Sequence, residues 1–363
     1  MNMSKRILVL TKYSRMGASS RLRTLQYLPL LEEQGFEFTV QSLFDDNYLK
    51  NIYSRQERSN SAIGKLYLKR LLTLFTVKSY DAIWIEKEIF PYLPAYAEQI
   101  LAFFGVDYIV DYDDAIFHNY DLSNNKFTKF FLAKKIDKVM KNASYVLAGN
   151  SYLAERAKLA GAKRIQLLPT VVDHLRYQKS NQSIKDVLTV GWIGSPFTQK
   201  YIVDILPELL TVYQQYPFRL LLVGATRDIH KDLIGLDVEV RDWHEQTETE
   251  LINIMDVGIM PLKDSHWEKG KCGYKLIQYM ACGVPVIASD VGVNGEIIEN
   301  KTAGVAGLLV KKNSDWANGL LQLFGSTELR KSYGRAGRSI VESKYSIEVQ
   351  LPVLKHILNS LVK

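Results

Sequence analysis

Cysteine is nearly absent from this sequence. Its 363 residues include two, Cys272 and Cys282, and no histidine lies near them at the spacing of a metal ligand. This pattern excludes both a disulfide framework and a zinc site. We expect two reduced thiols in a reducing compartment.

Long apolar runs are also lacking. No stretch reaches the roughly 18 apolar residues that span a bilayer, and the short apolar run after Met1–Arg6 does not make the core of a secretory signal. The sequence therefore predicts a cytoplasmic protein. Contact with a membrane is open only as peripheral contact with its inner face.

Acidic residues are too few in the first half of the chain to balance its bases. Residues 1–180 hold 26 lysines and arginines against 18 aspartates and glutamates, whereas residues 181–363 hold 20 against 21. Such an asymmetry points to an anionic partner of the first half. Nucleic acid, a membrane surface and an anionic substrate are the candidates.

Short apolar runs alternate with helical patterns along the chain, and most of these runs are continuously apolar, as in strands covered on both faces. The runs predict strands at residues 7–11, 38–43, 82–86, 108–112, 145–149 and 165–169, and again at 187–193, 219–223, 238–243, 257–261, 284–288 and 307–310. Strand–helix alternation implies parallel sheets with right-handed crossovers.

A polar stretch at residues 178–183 separates the two series of strands and is predicted to be a linker. We therefore expect an α/β protein of two Rossmann-like, doubly wound domains that face each other across a cleft. The predicted domains are 1–177 and 183–345. The last helix is expected to return to the first domain, which then includes residues 346–363.

The densest chemical signal is the segment from Trp267 to Gly283, which reads WEKGKCGYKLIQYMACG. Its glycines predict the opening of a helix, and Gly283 with Pro285 predicts the end of that helix. Lys271, Lys275 and Gln278 would share a face near the helix N-terminus. Free N–H groups, the helix dipole and two lysines suit a phosphate, although a solvated lysine face is the alternative.

The run that continues this segment, LIQYMACGVPVIAS at residues 276–289, resembles the retaining glycosyltransferases of GT-B fold, the glycosyl transferases group 1 or family-four-like group. The following Gly292–Glu296 looks like that family's Gly-Gly-x-x-Glu turn. The resemblance implies a GT-B fold and a nucleotide-diphosphate sugar as donor. It places Gly273, Lys275 and Glu296 among the donor-binding residues, and it implies neither a metal nor another cofactor.

The family's Glu-x7-Glu pair is not preserved here. Gln278 stands at its second glutamate, which holds the donor ribose, and Gly270 stands at the first, near the sugar. Gln278 keeps hydrogen-bonding reach but lacks the charge. Glu268, two residues out of register, either replaces the first glutamate as a catalytic residue or is a surface carboxylate paired with Lys269 or Lys271.

The second domain of this family opens with a Gly-Arg motif and a lysine that clamp the donor diphosphate. The matching run, VGWIGSPFTQK at residues 190–200, has Lys200 in place but Trp192 at the arginine position. The resemblance then implies that Lys200, Lys271 and Lys275 hold the diphosphate, with Ser195 and Thr198 as neutral donors. A plain turn at Ser195 is the alternative.

The first domain offers two weaker candidates. The loop after its first strand contains Gly17, which the family uses near the donor phosphates, and Arg21 and Arg23, which are either acceptor contacts or helix-surface charges. After a later strand, the run DYDDAIFH places carboxylates and a histidine at a strand end, where ligands bind.

For that second run the resemblance implies a sugar contact by His118, with Asp113 and Asp114 as alternatives. A structural loop histidine is equally open. The same run, starting at Asp111, contains Asp-x-Asp, a metal signature of the other glycosyltransferase fold, but the two-domain pattern argues against that fold.

Two basic segments carry interleaved apolar residues, at residues 50–78 and 126–141. Basic amphipathic helices suit an anionic membrane surface, and a core-packed helix with a solvated face is the alternative. Nucleic acid is not expected, because no recognised reading motif is present.

Together these features predict a metal-independent retaining glycosyltransferase of cell-surface polysaccharide synthesis. It would act on a nucleotide sugar and a lipid-linked or saccharide acceptor. Two rivals stay open: a sugar-nucleotide epimerase of the same fold, and a non-catalytic partner of another glycosyltransferase, which the changes at Gly270 and Gln278 would suit.

Overall fold

The computed structural model describes residues 5–53, 60–179, 187–300 and 303–362. Residues 54–59 of the basic segment 50–78, and residues 180–183 of the predicted linker, lie outside the described residues. The described chain divides into two compact units. The first comprises residues 1–170, 269–272 and 350–363, and the second comprises 171–268 and 273–349.

A six-stranded parallel sheet forms the centre of the first unit. Its strands are β1 (Lys5–Tyr13), β2 (Phe36–Phe44), β3 (Ala82–Glu86), β4 (Tyr108–Tyr112), β5 (Tyr145–Ala148) and β6 (Ile165–Leu167). They lie in the order β2-β1-β3-β4-β5-β6. Ile7 is paired with Phe38 on one side and with Ala82 on the other.

Helices connect these strands. They are α1 (Ala18–Ser20), α2 (Leu28–Glu32), α3 (Asp46–Tyr53), α4 (Asn60–Leu74), α5 (Tyr96–Phe103), α6 (His118–Asp121), α7 (Lys126–Leu132), α8 (Lys135–Asn142) and α9 (Ser151–Leu159). A π-helical turn at Arg21–Leu25 and a 3₁₀ turn at Val77–Ser79 complete this unit. The chain steps in one direction from β2 through β3 and β4 to β5, so right-handed crossovers place α4, α5 and α8 on one face of the sheet.

A second six-stranded parallel sheet forms the centre of the second unit, in the order β14-β11-β10-β7-β8-β9. Its strands are β7 (Thr189–Ile193), β8 (Arg219–Val223), β9 (Asp237–Arg241), β10 (Val257–Met260), β11 (Val286–Ser289) and β14 (Gly307–Val310), and a small hairpin joins β12 (Glu299–Asn300) to β13 (Gly304–Val305).

The helices that follow the strands of the second unit are α10 (Lys200–Val203), α11 (Leu206–Gln215), α12 (Glu248–Asn253), α13 (His266–Lys269), α14 (Tyr274–Ala281), α15 (Asn294–Ile298), α16 (Asp315–Gly325) and α17 (Thr327–Lys344), with a 3₁₀ turn at Arg227–Lys231. The last helix, α18 (Ile347–Leu361), belongs to the first unit from residue 350 onward. No helix among the described ranges is long and apolar enough to cross a membrane.

Alternation of side chains along each central strand builds two cores in the second unit. On β8, Leu221 and Val223 belong to the core that packs α14, whereas Leu220 and Leu222 belong to the other core, with Trp316. Because both faces of the strand are covered, its sequence is apolar throughout. The predicted fold class, two parallel sheets of Rossmann-like type, is confirmed.

Burial of Arg23 ties the first crossover of the first unit to β4. Its Nη2 and Nε donate to Asp111 Oδ1 at 2.7 and 3.0 Å, and its Nη1 donates to the carbonyl of Leu168 at 2.6 Å. Both side chains are almost fully buried. Burial raises the pKa of Asp111 to about 6, and the Arg23 charge opposes that rise.

We expect Arg23→Leu to lower the free energy of unfolding by about 3–5 kcal/mol, because it leaves the buried carboxyl of Asp111 without its partner. Calorimetric or denaturant unfolding measures the loss. Arg227→Leu, at an exposed position of the second unit, is the control and should change stability by less than about 0.5 kcal/mol. Equal effects of the two changes would contradict this role for the ion pair.

Candidate functional site

Each sheet has a point at which the chain reverses its direction of travel, and ligands of open α/β sheets bind outside the carboxyl ends of the strands there. In the first unit this point lies between β1 and β3, and in the second unit it lies between β7 and β10. Each unit therefore has one edge at which a ligand is expected.

At the edge of the first unit, Lys87 directly follows β3 and has a left-handed backbone, with φ of 65°. Its ammonium lies 2.9 Å from Asp113 Oδ1 and 3.8 Å from Asp114 Oδ2, and it donates to Ser19 Oγ at 3.0 Å. A lysine in this conformation is strained, and such strain persists where surrounding contacts fix it, most often at functional sites. Sequence reasoning missed this residue.

The charges at this edge are coupled. Burial opposes the charge of Lys87, but Asp113 and Asp114 hold its pKa above the ordinary value. Burial, and then the charge of Lys87, lowers the pKa of Lys12. Burial and the neighbouring Asp113 raise the pKa of Asp114, whose side chain is 30 % exposed. Asp114 is therefore the carboxylate of this edge that meets solvent.

The Asp-x-Asp run does not form a metal site here. Asp111 is paired with Arg23, and Asp113 is paired with Lys87, so each carboxylate has its own cation. Among the residues that the structure describes, no group of three or more His, Cys, Asp and Glu could hold a metal ion. The run Glu86-Lys87-Glu88, polar directly after a buried strand, was the signal for this edge in the sequence.

His118 begins α6 and is held by side chains. Its Nδ1 lies 2.8 Å from Asp121 Oδ1, and its Nε2 lies 2.8 Å from the hydroxyl of Tyr152. Arg156 binds the other oxygen of Asp121 at 2.9 Å. Because both ring nitrogens are engaged and the side chain is 9 % exposed, the structure favours a structural role that links α6 to α9 over the predicted sugar contact.

The loop after β1 is packed closely within the first unit. A Cβ at Gly17 would lie 2.4 Å from Cβ of Tyr13, so packing within the chain already requires a glycine. Arg21 is buried and donates to the carbonyl of Arg15 at 3.1 Å. The prediction of helix-surface charges is wrong for Arg21 and Arg23, since both are buried, and Arg23 is used by Asp111 and Leu168.

The short segment 269–272 belongs to the first unit although it lies late in the sequence. The amide of Asn150 donates to the carbonyls of Gly270 and Lys271, each at 3.0 Å. Its Oδ1 accepts from Leu153 N at 2.9 Å and caps α9. One buried asparagine thus holds both the segment and the start of a helix.

Gly270 faces Ala115 at close range. A Cβ on it would lie 2.4 Å from Cβ and 2.6 Å from N of Ala115. The position of the family's first glutamate therefore has no room for a side chain in this unit. Lys271 next to it is half-buried, and its ammonium lies 3.9 Å from Asp114.

Helix α14 in the second unit begins at Tyr274. Gly273 is its N-cap, with φ of 63°, and a Cβ there would lie 2.2 Å from Cδ1 of Ile297. Lys271 therefore precedes the helix, and the prediction that it shares a helix face with Lys275 and Gln278 is wrong. The hydroxyl of Tyr279 accepts from Ile193 N at 2.8 Å and fixes α14 against the end of β7.

Lys275 lies in the first turn of α14, and its ammonium is 4.7 Å from the centre of the Trp192 indole ring. Trp192 is fully buried in β7 at the position of the family's arginine. A cation over an indole face is stabilised by about 0.5–2 kcal/mol. The family's arginine would itself carry a positive charge at this position. Trp192 instead binds the charged ammonium of Lys275 near the helix N-terminus.

Three other predicted donor residues also lie in the second unit. Lys200 is exposed at the start of α10, with its ammonium 5.3 Å from the Tyr201 ring centre. Ser195 accepts at its carbonyl from Thr198 N at 2.9 Å, as in a tight turn after β7. Glu296 is exposed in the first turn of α15.

Glu268 is buried, so its interpretation as a surface carboxylate is wrong. Its Oε1 accepts a hydrogen bond from the Tyr201 hydroxyl, and its Oε2 accepts one from Ser265. Burial, and then this carboxylate, raises the pKa of Tyr201 above its ordinary value. Sequence reasoning had no signal for the tyrosine, which lies 67 residues away.

Gln278 points into a buried polar cluster. Its amide donates to the Tyr177 hydroxyl at 3.3 Å, and that hydroxyl donates to Glu248, which also accepts from the Trp243 indole N–H. Gln278 is 2 % exposed. Within this unit it is a core residue, and the structure does not favour the predicted contact with a ribose.

We expect Gly270→Ala to destabilise the first unit by about 1–3 kcal/mol, because the added Cβ must displace the backbone of Ala115. Thermal unfolding followed by calorimetry measures this. Gly325→Ala is the control, since no atom lies within 4 Å of its Cβ. An unchanged unfolding temperature for Gly270→Ala would contradict the close contact.

Comparison with known proteins finds a family match that lies mostly in the second unit. Residues 184–326 match the sequence model of a family described as "Glycosyl transferases group 1". An uncharacterized glycosyltransferase from Methanocaldococcus jannaschii is 40 % identical over 78 residues, and the match spans 21 % of each chain.

Solved structures match the fold of nearly the whole chain. A glycosyltransferase from Rickettsia africae is 16 % identical, with a TM-score of 0.73 and complete coverage of both chains. HepE of Anabaena in complex with UDP-glucose is 16 % identical, with a TM-score of 0.71 and coverage of 98 % of this chain and 99 % of that one. The fold of the chain is therefore GT-B, and its residues 184–326 match the group 1 glycosyltransferase model.

Proposed function

We propose that this protein is a retaining glycosyltransferase that moves a sugar from a nucleotide-diphosphate donor to a lipid-linked or saccharide acceptor. The observation that carries the proposal is the position of Lys275 over Trp192 in the first turn of α14, inside the matched family segment. The structure of the HepE relative is described as a complex with UDP-glucose, which supports a nucleotide sugar as the donor class.

The donor diphosphate is assigned to the second unit. The unsatisfied N–H groups and the dipole of α14 favour an anion at its N-terminus. Lys275 adds a fixed charge there, and Lys200 and Ser195 follow β7 at the reversal point of the sheet. Each charge-assisted contact contributes about 1.5–3 kcal/mol, so two or three hold a diphosphate.

The chemistry needs stabilisation of the departing diphosphate more than a protein nucleophile. In a retaining transfer with attack from the face of the leaving group, charge grows on the diphosphate as the sugar becomes oxocarbenium-like. Fixed lysines can neutralise that charge, so the proposed reaction uses no metal. Glu268, held by Tyr201 and Ser265, is proposed to take the place of the glutamate for which Gly270 leaves no room.

The acceptor is assigned to the first unit, at the edge where Lys87, Asp113 and Asp114 meet. Asp114 is the carboxylate proposed to receive a hydrogen bond from an acceptor hydroxyl. The basic segments 50–78 and 126–141 belong to the same unit, and they suit an anionic membrane surface that presents a lipid-linked acceptor. This setting agrees with cell-surface polysaccharide synthesis at the inner face of a membrane.

We expect Lys275→Ala to weaken nucleoside diphosphate binding about 10- to 100-fold, since it removes one charge-assisted contact. Calorimetric titration measures this with whichever of UDP, GDP, dTDP, ADP and CDP gives the largest thermal shift on the unaltered protein. Lys331→Ala, an exposed lysine of α17 that is paired with Glu328, is the control and should bind normally.

Three results would contradict the transferase proposal. Absence of binding to all five nucleotides would remove the donor site. Formation of an epimer from the nucleotide sugar without acceptor would favour an epimerase. Full function after Lys275→Ala and Gln278→Ala together would favour a non-catalytic partner.

We expect Glu268→Gln to lower kcat at least about 10-fold with little change in nucleotide affinity, because the charge is proposed to act on the transferring sugar. Steady-state transfer assays measure kcat and KM. Tyr201→Phe, which removes one hydrogen bond to Glu268, should have a smaller effect. A normal kcat for Glu268→Gln would show that the buried carboxylate is structural.

A further inference from the structure

Helix α5 in the first unit is unusual for a surface helix because it exposes no charge. Glu98, the one charged residue between Tyr96 and Phe103, is buried and accepts a hydrogen bond from Ile89 N at 2.8 Å. Surface helices normally present charged or polar residues to water. No sequence feature had singled out this helix.

The exposed side of α5 is mostly apolar and aromatic, and Gln99 is its exposed polar residue. Tyr96, Ile100 and Phe103 are spaced by four and three residues, so they form one stripe, and their exposed fractions are 67, 55 and 84 %. The stripe continues at both ends of the helix into Tyr92, Leu93 and Phe104, which are also exposed. Contiguous apolar surface of this kind marks an interaction site.

Lysines border this stripe on the neighbouring helix. Helix α5 packs against α8. Lys134, directly before α8, and Lys138 and Lys141 within it are exposed at helical spacing, as a row. At the other end, the Lys78 ammonium lies 5.9 Å from the Phe104 ring centre. Lys135 of the same segment is not part of the row, since it is buried against Glu88.

The helices that belong to the two basic segments add further apolar side chains. On α4, Leu68, Leu71 and Leu72 are exposed beside Lys65 and Lys69. On α7, the exposed apolar residues are Phe127, Phe130 and Phe131, beside Lys126 and Lys129.

We propose that α5 is a membrane-insertion element. In this proposal its stripe, with Phe104, enters the interfacial region of an anionic bilayer while the lysine row of α8 binds the lipid headgroups. Aromatic and aliphatic side chains partition into that region, and lysines beside them gain from a negative surface. A protein partner would explain the apolar stripe alone. The neighbouring row of lysines, which carries only positive charge, fits an anionic surface.

The proposal rests on the membrane contact in the proposed function and goes beyond it. Contact through lysines alone is lost at high salt, because salt screens exposed charges. Insertion of α5 adds a component that salt does not remove. The two components predict separate losses for separate variants.

The test is flotation of the full chain with vesicles of phosphatidylcholine, with and without 30 % phosphatidylglycerol, at roughly 0.1 and 0.5 M salt. The first variant replaces Ile100, Phe103 and Phe104 by serine. Its partition coefficient should fall at least tenfold at both salt concentrations. The second replaces Lys134, Lys138 and Lys141 by glutamine, and it should lose the preference for the anionic vesicles. Leu175→Ser with Ile234→Ser, two exposed positions of the second unit, is the control and should bind as the unaltered chain does.

A second measurement does not depend on loss of binding. Both native cysteines are buried, so Phe103→Cys can be labelled with an environment-sensitive fluorophore. Its emission should shift to the blue when anionic vesicles are added, and that of Ile234→Cys should not. UDP binding, measured in parallel, should be unchanged in every variant, which separates this proposal from the donor site.

Several outcomes would overturn the insertion proposal. Binding of the serine variant at the level of the unaltered chain would do so, as would binding that 0.5 M salt abolishes completely without a blue shift. The latter result would leave electrostatic docking intact. A dimer in light scattering that the serine variant dissolves would instead assign the stripe to a second copy of the chain.

Discussion

The ion pairs at the ends of β3 and β4 are the constraint on which the first unit's edge depends. Asp111 and Asp113 lie two residues apart at a strand end, and each has a separate cation, Arg23 or Lys87. Without those cations two neighbouring carboxylates would repel each other in a medium that solvates them poorly. The backbone they fix also receives a later part of the chain, because Cys272 Sγ donates to the carbonyl of Asp113 at 3.2 Å.

Two departures from the family pattern have physical reasons in this chain. Gly270 stands where the family has a glutamate because Ala115 occupies the space of a side chain. Trp192 stands where the family has an arginine, and it holds the ammonium of Lys275 over its ring. The positive charge that the family's arginine would supply from the strand is supplied here by Lys275, from the first turn of α14. The pattern of charges, and not of residue identities, is what the proposed diphosphate site retains.

The fold could be predicted from the sequence further than the site could. The strands at 82–86, 108–112, 219–223 and 307–310 have the predicted bounds, because a strand covered on both faces must be continuously apolar. Site geometry depends on partners far apart in sequence. Asn150 binds Gly270, and Tyr201 binds Glu268, and no local pattern encodes either pair. The left-handed backbone of Lys87 could not be predicted from the sequence either, because glycine is the residue that normally indicates this conformation.

Burial also determines where the excess positive charge of the first half of the chain lies. Arg23, Lys87 and Lys135 are each paired with a buried or nearly buried carboxylate, so these cations cancel against their partners. The uncompensated positive charge is therefore left on exposed side chains such as those of α8. A basic surface follows from this separation even though the total excess is modest. Helix α5, which packs against α8, exposes its uncharged stripe in the same unit. Two effects therefore act together in the first unit. The lysines are attracted to an anionic surface, and the apolar side chains are removed from water.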